Sequence, residues 1–149
     1  MPPTNLLPAR EPVRAPERTP QPTIRQRSSR VLLVEDEPLT AEVFARALLR
    51  DGHTVEVARD GLQAMNRVHD RTPSLIVLDM NLPAMSGADI VRRLRAEGHH
   101  DVPIIVVSGS PRERAGLAAN ELWPGLWIEK PVKPRDLVQV VREFLDEAD

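Results

Sequence analysis

The chain has 149 residues, a formal net charge of −2 and no cysteine. That length suits one ordinary domain. The absence of cysteine excludes disulfides and thiolate chemistry, and no apolar run is long enough to span a bilayer as a helix.

The small net charge hides an uneven spread. Residues 1–30 hold six arginines against two glutamates (+4), which leaves residues 31–149 at −6. The first thirty also hold seven prolines, at 2, 3, 8, 12, 16, 20 and 22. Few large apolar side chains remain there to offset the entropy of ordering. The composition predicts a disordered, extended Pro/Arg-rich arm over 1–30 and one globular body over 31–149. The arm reads as a basic tether for an anionic partner, as a Pro-rich ligand or, more plainly, as a solvated leader. Ser28-Ser29, between arginines, could be a kinase substrate. Leu6-Leu7 is too short for the apolar core of a secretory signal, so a cytoplasmic protein is expected.

Val31 to Val34 is continuously apolar and ends in Glu35-Asp36. Such a run suits a strand buried on both faces. Pro38 is well placed to open a helix, and Leu39, Val43, Ala47 and Leu48 recur at helical spacing towards Arg50. Asp51-Gly52 stops it. His53 to Ala58 predicts a second strand, and Leu62 to Val68 a second helix. Ser74 to Asp79 (Ser-Leu-Ile-Val-Leu-Asp) predicts a third strand, again apolar throughout and again ending in a carboxylate. Asn81, Pro83, Ser86 and Gly87 mark a loop, after which Ile90, Val91 and Leu94 form the apolar face of a helix ending near Gly98. Ile104 to Val107 predicts a fourth strand, ending in Ser108. A helix over Arg112 to Asn120 has a thin apolar face. Leu126-Trp127-Ile128 predicts the last strand, ending at Lys130-Pro131, and Pro134 opens a final helix with Leu137, Val140, Val141, Phe144 and Leu145 on one side.

Strand and helix thus alternate five times. Alternation of this kind predicts an α/β fold, a doubly wound five-stranded parallel sheet with helices on both faces and right-handed crossovers. Ligands of such sheets bind at the carboxyl ends of the strands. That edge collects Glu35, Asp36, Asp79, Ser108 and Lys130. Taken singly, Glu35-Asp36 could cap the helix that Pro38 opens, Asp79 and Ser108 could be turn residues, and Lys130 an exposed charge. Converging at one edge, they suggest a site. Three carboxylates call for a counter-charge, and a hard divalent cation with oxygen ligands, such as Mg²⁺, meets that need. Metal, ammonium and hydroxyl could together hold a phosphoryl group on a carboxylate, because phosphoryl transfer needs mainly positioning and charge neutralisation.

The motifs Val31-Leu32-Leu33-Val34-Glu35-Asp36-Glu37-Pro38, Leu75 to Gly87, Ile105-Val106-Val107-Ser108-Gly109 and Lys130-Pro131 resemble, in order, those of the receiver domain of bacterial two-component response regulators. The resemblance covers essentially 31–149. It implies a flavodoxin-like (βα)5 fold and a phosphorylation-dependent switch of a two-component or phosphorelay system. It further implies that Asp79 accepts phosphate from a sensor histidine kinase or a histidine phosphotransfer protein. Mg²⁺ would be held by Asp36, Asp79 and the backbone carbonyl of Asn81, with Glu35 helping through water. Lys130 would pair with the phosphoryl group, Ser108 would swing towards it, and Trp127, where Tyr or Phe is usual, would reorient with Ser108. Two departures are Ser108 in place of Thr and Trp123-Pro124 in place of Gly-Ala.

A phosphoacceptor of this kind is not a conventional enzyme, and its output is expected through a downstream protein target. No recognition helix follows Lys130 and the body is acidic, which argues against direct sequence-specific DNA binding by the body. A receiver-like module that is never phosphorylated and a metal-dependent hydrolase are the competing readings. The first would be expected to have lost a member of the acidic, hydroxyl and lysine set; the second lacks an evident substrate pocket.

Overall fold

The computed structural model describes residues 29–147. Most of the predicted arm lies outside the described residues; Arg30 is the first residue of the first strand. Five strands, β1 (Arg30–Val34), β2 (Thr54–Ala58), β3 (Leu75–Asp79), β4 (Ile104–Ser108) and β5 (Gly125–Glu129), form one sheet in the order β2-β1-β3-β4-β5. Every neighbouring pair is parallel, with Leu33 opposite Val57 and Val77, and Val106 opposite Trp127. The predicted doubly wound sheet is therefore observed.

The continuous apolar runs are explained by two-sided burial. Alternate residues of one strand feed opposite cores. Leu32, Val34, Ile76, Leu78, Ile104 and Val106 face α2 (Gly61–Asp70) and α3 (Gly87–Ala96). Val31, Leu33, Val77, Ile105 and Val107 face α1 (Pro38–Arg50) and α6 (Pro134–Glu147). β3 is buried along its whole length, its final Asp79 included. Each fully buried aliphatic side chain stabilises the fold by roughly 1.5–3 kcal/mol, which offsets the cost of holding carboxylates at the strand ends.

Helix α1 starts as expected at Pro38, but its cap is Glu37, whose carboxylate accepts the Leu39 and Thr40 N–H groups. Its buried face is Ala41, Phe44 and Leu48, whereas Leu39 and Val43 are exposed. The apolar periodicity of Leu39 and Val43 thus pointed to the wrong side of this helix. Phe44, the largest apolar side chain in it, lies towards the sheet instead and sets the rotation. Leu62 of α2 is likewise exposed, and the core takes Ala64, Met65 and Val68.

The predicted helix over 112–120 is two single turns, α4 (Arg112–Ala115) and α5 (Ala119–Leu122). Gly116 separates them with φ 73°, a left-handed conformation that glycine adopts without steric cost. No residue of α4 is buried, so nothing in that turn would hold a longer helix against the sheet. Leu117, before α5, and Leu122, its last residue, are buried and anchor the segment. Arg95 of α3 secures it further, donating to the Leu122 and Pro124 carbonyls at 2.9 and 3.1 Å.

Candidate functional site

The order β2-β1-β3 reverses the winding between β1 and β3, and doubly wound sheets bind ligands at such a switch point. Glu35 and Asp36 follow β1 there, and Asp79 ends β3. One oxygen from each of these carboxylates lies within 4.8 Å of the others. Glu35 and Asp79 are buried and Asp36 is exposed.

Asp79 Oδ1 accepts the Asn81 N–H at 3.2 Å and faces Lys130 Nζ at 3.3 Å. The lysine is only partly covered, so its ammonium reaches the site while keeping contact with water. Glu35 Oε2 accepts the Glu37 N–H at 3.1 Å. Burial pushes the Glu35 carboxyl up to about 7, the neighbouring Asp79 charge adds to the rise, and the Glu37 N–H and Lys130 oppose it. Glu35 is therefore no helix cap. It is a carboxyl buried next to a second carboxylate, Asp79.

Ser108 closes the other side. Its hydroxyl oxygen accepts the Ser110 N–H at 3.1 Å, which leaves its proton free to donate. The Lys130 N–H bonds the Ser108 carbonyl at 2.7 Å, fixing the ends of β4 and β5 together. Trp127, half-buried, donates its indole N–H to the Ser110 carbonyl at 2.9 Å. The predicted site residues Glu35, Asp36, Asp79, Ser108 and Lys130 thus converge, and Trp127 reaches the same loop as Ser108. Asn81 enters through its backbone N–H; its side chain bonds no other described residue.

Sequence reasoning missed three contributors. Glu37 was read only as a residue before Pro38, although an acceptor one residue before a helix-opening proline is a cap signal. The Ser110 carbonyl carries no sequence signal at all, because any residue offers one. Gly87 is required because a Cβ there would lie 3.0 Å from the Met80 Cα and still closer to its sulfur, so it sets the fold-back of the loop after Asp79.

Comparison with known proteins agrees with this geometry. The response regulator receiver domain family matches residues 31–142. The DNA-binding response regulator MtrA of Mycolicibacterium smegmatis is 36% identical over 123 residues, covering 83% of this chain and 52% of that protein. The alkaline phosphatase synthesis transcriptional regulatory protein SphR of Synechococcus elongatus is 35% identical over 127 residues, covering 79% and 49%. The chain thus spans about half the length of these curated relatives. Among solved structures, a CheY-like receiver domain protein from Methanospirillum hungatei superposes with a TM-score of 0.73 at 26% identity, covering 80% of this chain and 95% of that one. A sensor protein from Polaromonas sp. gives 0.73 at 28%, covering 81% and 98%. The fold and site define a doubly wound parallel sheet with an acidic cluster at its carboxyl edge. The chain belongs to the receiver domain family of two-component response regulators, whose members are phosphorylation-dependent signalling switches. Among the described residues no helix is long and apolar enough to cross a membrane.

Proposed function

We propose that Asp79 is the phosphoacceptor of this receiver, charged by the phosphohistidine of a sensor histidine kinase or a histidine phosphotransfer protein. The observation that carries the reading is the buried Asp79 carboxylate at the end of β3, oriented by the Asn81 N–H and Lys130 and flanked by Glu35 and Asp36. A carboxylate oxygen of Asp79 attacks phosphorus. The P–N bond breaks, and the imidazole leaves with the electron pair and takes up a proton. Lys130 pairs with the transferred group and the Ser108 hydroxyl donates to it.

The donor set fits a hard divalent cation: three carboxylates converge, and one of them, Glu35, is pushed up to about 7 by burial and next by Asp79. Mg²⁺ would be held by Asp36, Asp79 and the Asn81 carbonyl, with Glu35 acting through water. When bound it supplies the positive charge that lets these carboxylates stay ionised beside a phosphoryl group. The protein is a switch that assists its own phosphorylation and dephosphorylation, and works in the cytoplasm through an altered protein contact. A separate arm ahead of β1 is part of the same proposal, with Arg30, expected in the arm, belonging to the strand instead. Incubation with acetyl phosphate and Mg²⁺, followed by intact mass, tests the central claim: one phosphoryl group should add, labile to base and hydroxylamine.

Ser108→Ala removes the hydroxyl and leaves the carboxylates in place. Phosphorylation should persist to a similar extent, while the affinity for the output partner no longer changes with it. A variant that loses Mg²⁺ affinity instead would assign Ser108 a different role.

The chain has two tryptophans and no tyrosine. Trp123 is 69% exposed, and Trp127 is half-buried on the Ser110 carbonyl. If Ser108 draws its loop towards the phosphoryl group, the Trp127 bond must break or follow. Mg²⁺ with beryllofluoride should therefore change the emission of Trp123→Phe but not that of Trp127→Phe. An unchanged Trp127 signal in protein shown by mass to bind the mimic would remove Trp127 from the switch.

A further inference from the structure

A cavity of about 340 Å³ opens between the loop after β3 and the loop after β4. Asn81, whose N–H bonds Asp79, lines it together with Ser108, Ser110, Arg114 and Trp127. It has room for roughly ten water volumes, enough for a phosphate ester or anhydride of a few heavy atoms.

Arg114 differs from Arg92 and Arg112, the arginines bonded to the same segment. Arg112 donates to the Leu117 carbonyl at 3.0 Å, and Arg92 pairs with Glu121 at 2.8 Å and bonds the Gly116 carbonyl. Among the described residues the Arg114 side chain has no ion pair and no hydrogen bond. It sits on α4, which has no buried residue, so it does nothing evident for the fold. Arg114 nonetheless lines the cavity that Ser108 and Asn81 also line. A rigid cationic fork of that kind matches a carboxylate in bidentate fashion.

We infer that this cavity is a leaving-group subsite for small acyl phosphates, and that Arg114 binds the carboxylate they release. The inference rests on Asp79 as acceptor. An Asp79 oxygen forms the new bond to phosphorus as the bond from phosphorus to the acyl oxygen breaks. The electron pair leaves on that oxygen, and the departing group is a carboxylate needing no proton. Charge therefore develops on the leaving group, where Arg114 meets it. A donor that releases a neutral amine, such as phosphoramidate, develops no such charge and gains nothing from Arg114. The subsite selects between donors by the charge of what departs.

The test compares labelling rates by intact mass, with Mg²⁺ present, for the wild type, Arg114→Gln, Arg114→Glu and Arg114→Lys. Acetyl phosphate should label Arg114→Gln roughly fivefold more slowly, the size of one exposed ion pair. Arg114→Glu should be slower still, and Arg114→Lys should recover part of the loss. Phosphoramidate should label all four within about twofold of one another, and raising the salt should narrow the acetyl phosphate differences, as screening requires. An equal fall with both donors, or no fall with either, overturns the subsite. Wild-type protein that neither donor labels would overturn the Asp79 reading and this inference with it.

Discussion

Asp79→Asn is expected to abolish covalent labelling by any phosphodonor while leaving the fold intact. The amide keeps the shape of the carboxylate, and its oxygen can still accept the Asn81 N–H that Asp79 accepts at 3.2 Å. What it loses is the anionic nucleophile and the partner of Lys130. An amide oxygen is a far weaker nucleophile than a carboxylate, so the loss should be complete on the timescale of wild-type labelling. Stability should hold or rise, because the substitution removes a negative charge beside the buried Glu35 carboxyl. The paired measurements are intact mass and a urea titration. Labelling of Asp79→Asn at the wild-type rate would place the acceptor elsewhere; a collapse of the urea midpoint would make the loss of labelling uninformative, and the circular dichroism spectrum decides between those outcomes.

The second large effect is on stability and follows from Glu35. Its carboxyl is raised from 4.5 to about 7, chiefly by burial and next by Asp79. The folded protein therefore holds this proton more tightly than the unfolded chain does. Stability from that proton is fully present below the unfolded value and is lost as pH rises through the folded one. In metal-free protein the urea midpoint should fall between about pH 5 and pH 8, corresponding to a loss of unfolding free energy on the order of 1–3 kcal/mol once access of water to the site is allowed for. Glu35→Gln cannot ionise and still offers an oxygen to the Glu37 N–H. Its midpoint should be nearly flat over this range and higher than the wild type at pH 8. Millimolar Mg²⁺ should flatten the wild-type profile as well, since a cation favours the ionised carboxylate. A metal-free wild type whose midpoint rises across this range would show that Glu35 is not the buried proton acceptor of the site.

The two expectations share one physical origin. A sheet covered on both faces brings its strand ends to an edge that side chains partly close from water. Glu35 is pushed towards its proton by burial first and by the neighbouring Asp79 next, against the Glu37 N–H and Lys130. Asp79 is held in place there by the Asn81 N–H and the Lys130 ammonium.

Much of this was legible in the chain itself. The four-residue apolar runs before Glu35, Asp79 and Ser108 suit strands buried on both sides. Their alternation with helical spacing implied a parallel sheet, and a parallel sheet places every strand end on one edge. That logic needs only the period of the pattern and the chirality of the crossovers, which are local properties. Glu35, Asp36, Asp79, Ser108 and Lys130 were accessible to it for that reason. The helix faces were not. In α1 the sequence offers apolar residues on two sides, Leu39 and Val43 against Ala41, Phe44 and Leu48, and only packing on the sheet selects the second set. The break at Gly116 was equally hidden, since a glycine in a weak helix is compatible with either outcome until its neighbours fail to find a core. Burial of Glu35 and the bond from Trp127 to the Ser110 carbonyl depend on which segments meet across the edge. Sequence by itself determined the elements, their parallel order and the residues at the strand ends, because these follow from hydrophobic period and chain connectivity. Tertiary structure alone decided which carboxyl is forced towards its proton, that Arg92 pairs with Glu121, and which helix face is wet, because those depend on distances between groups far apart in the chain.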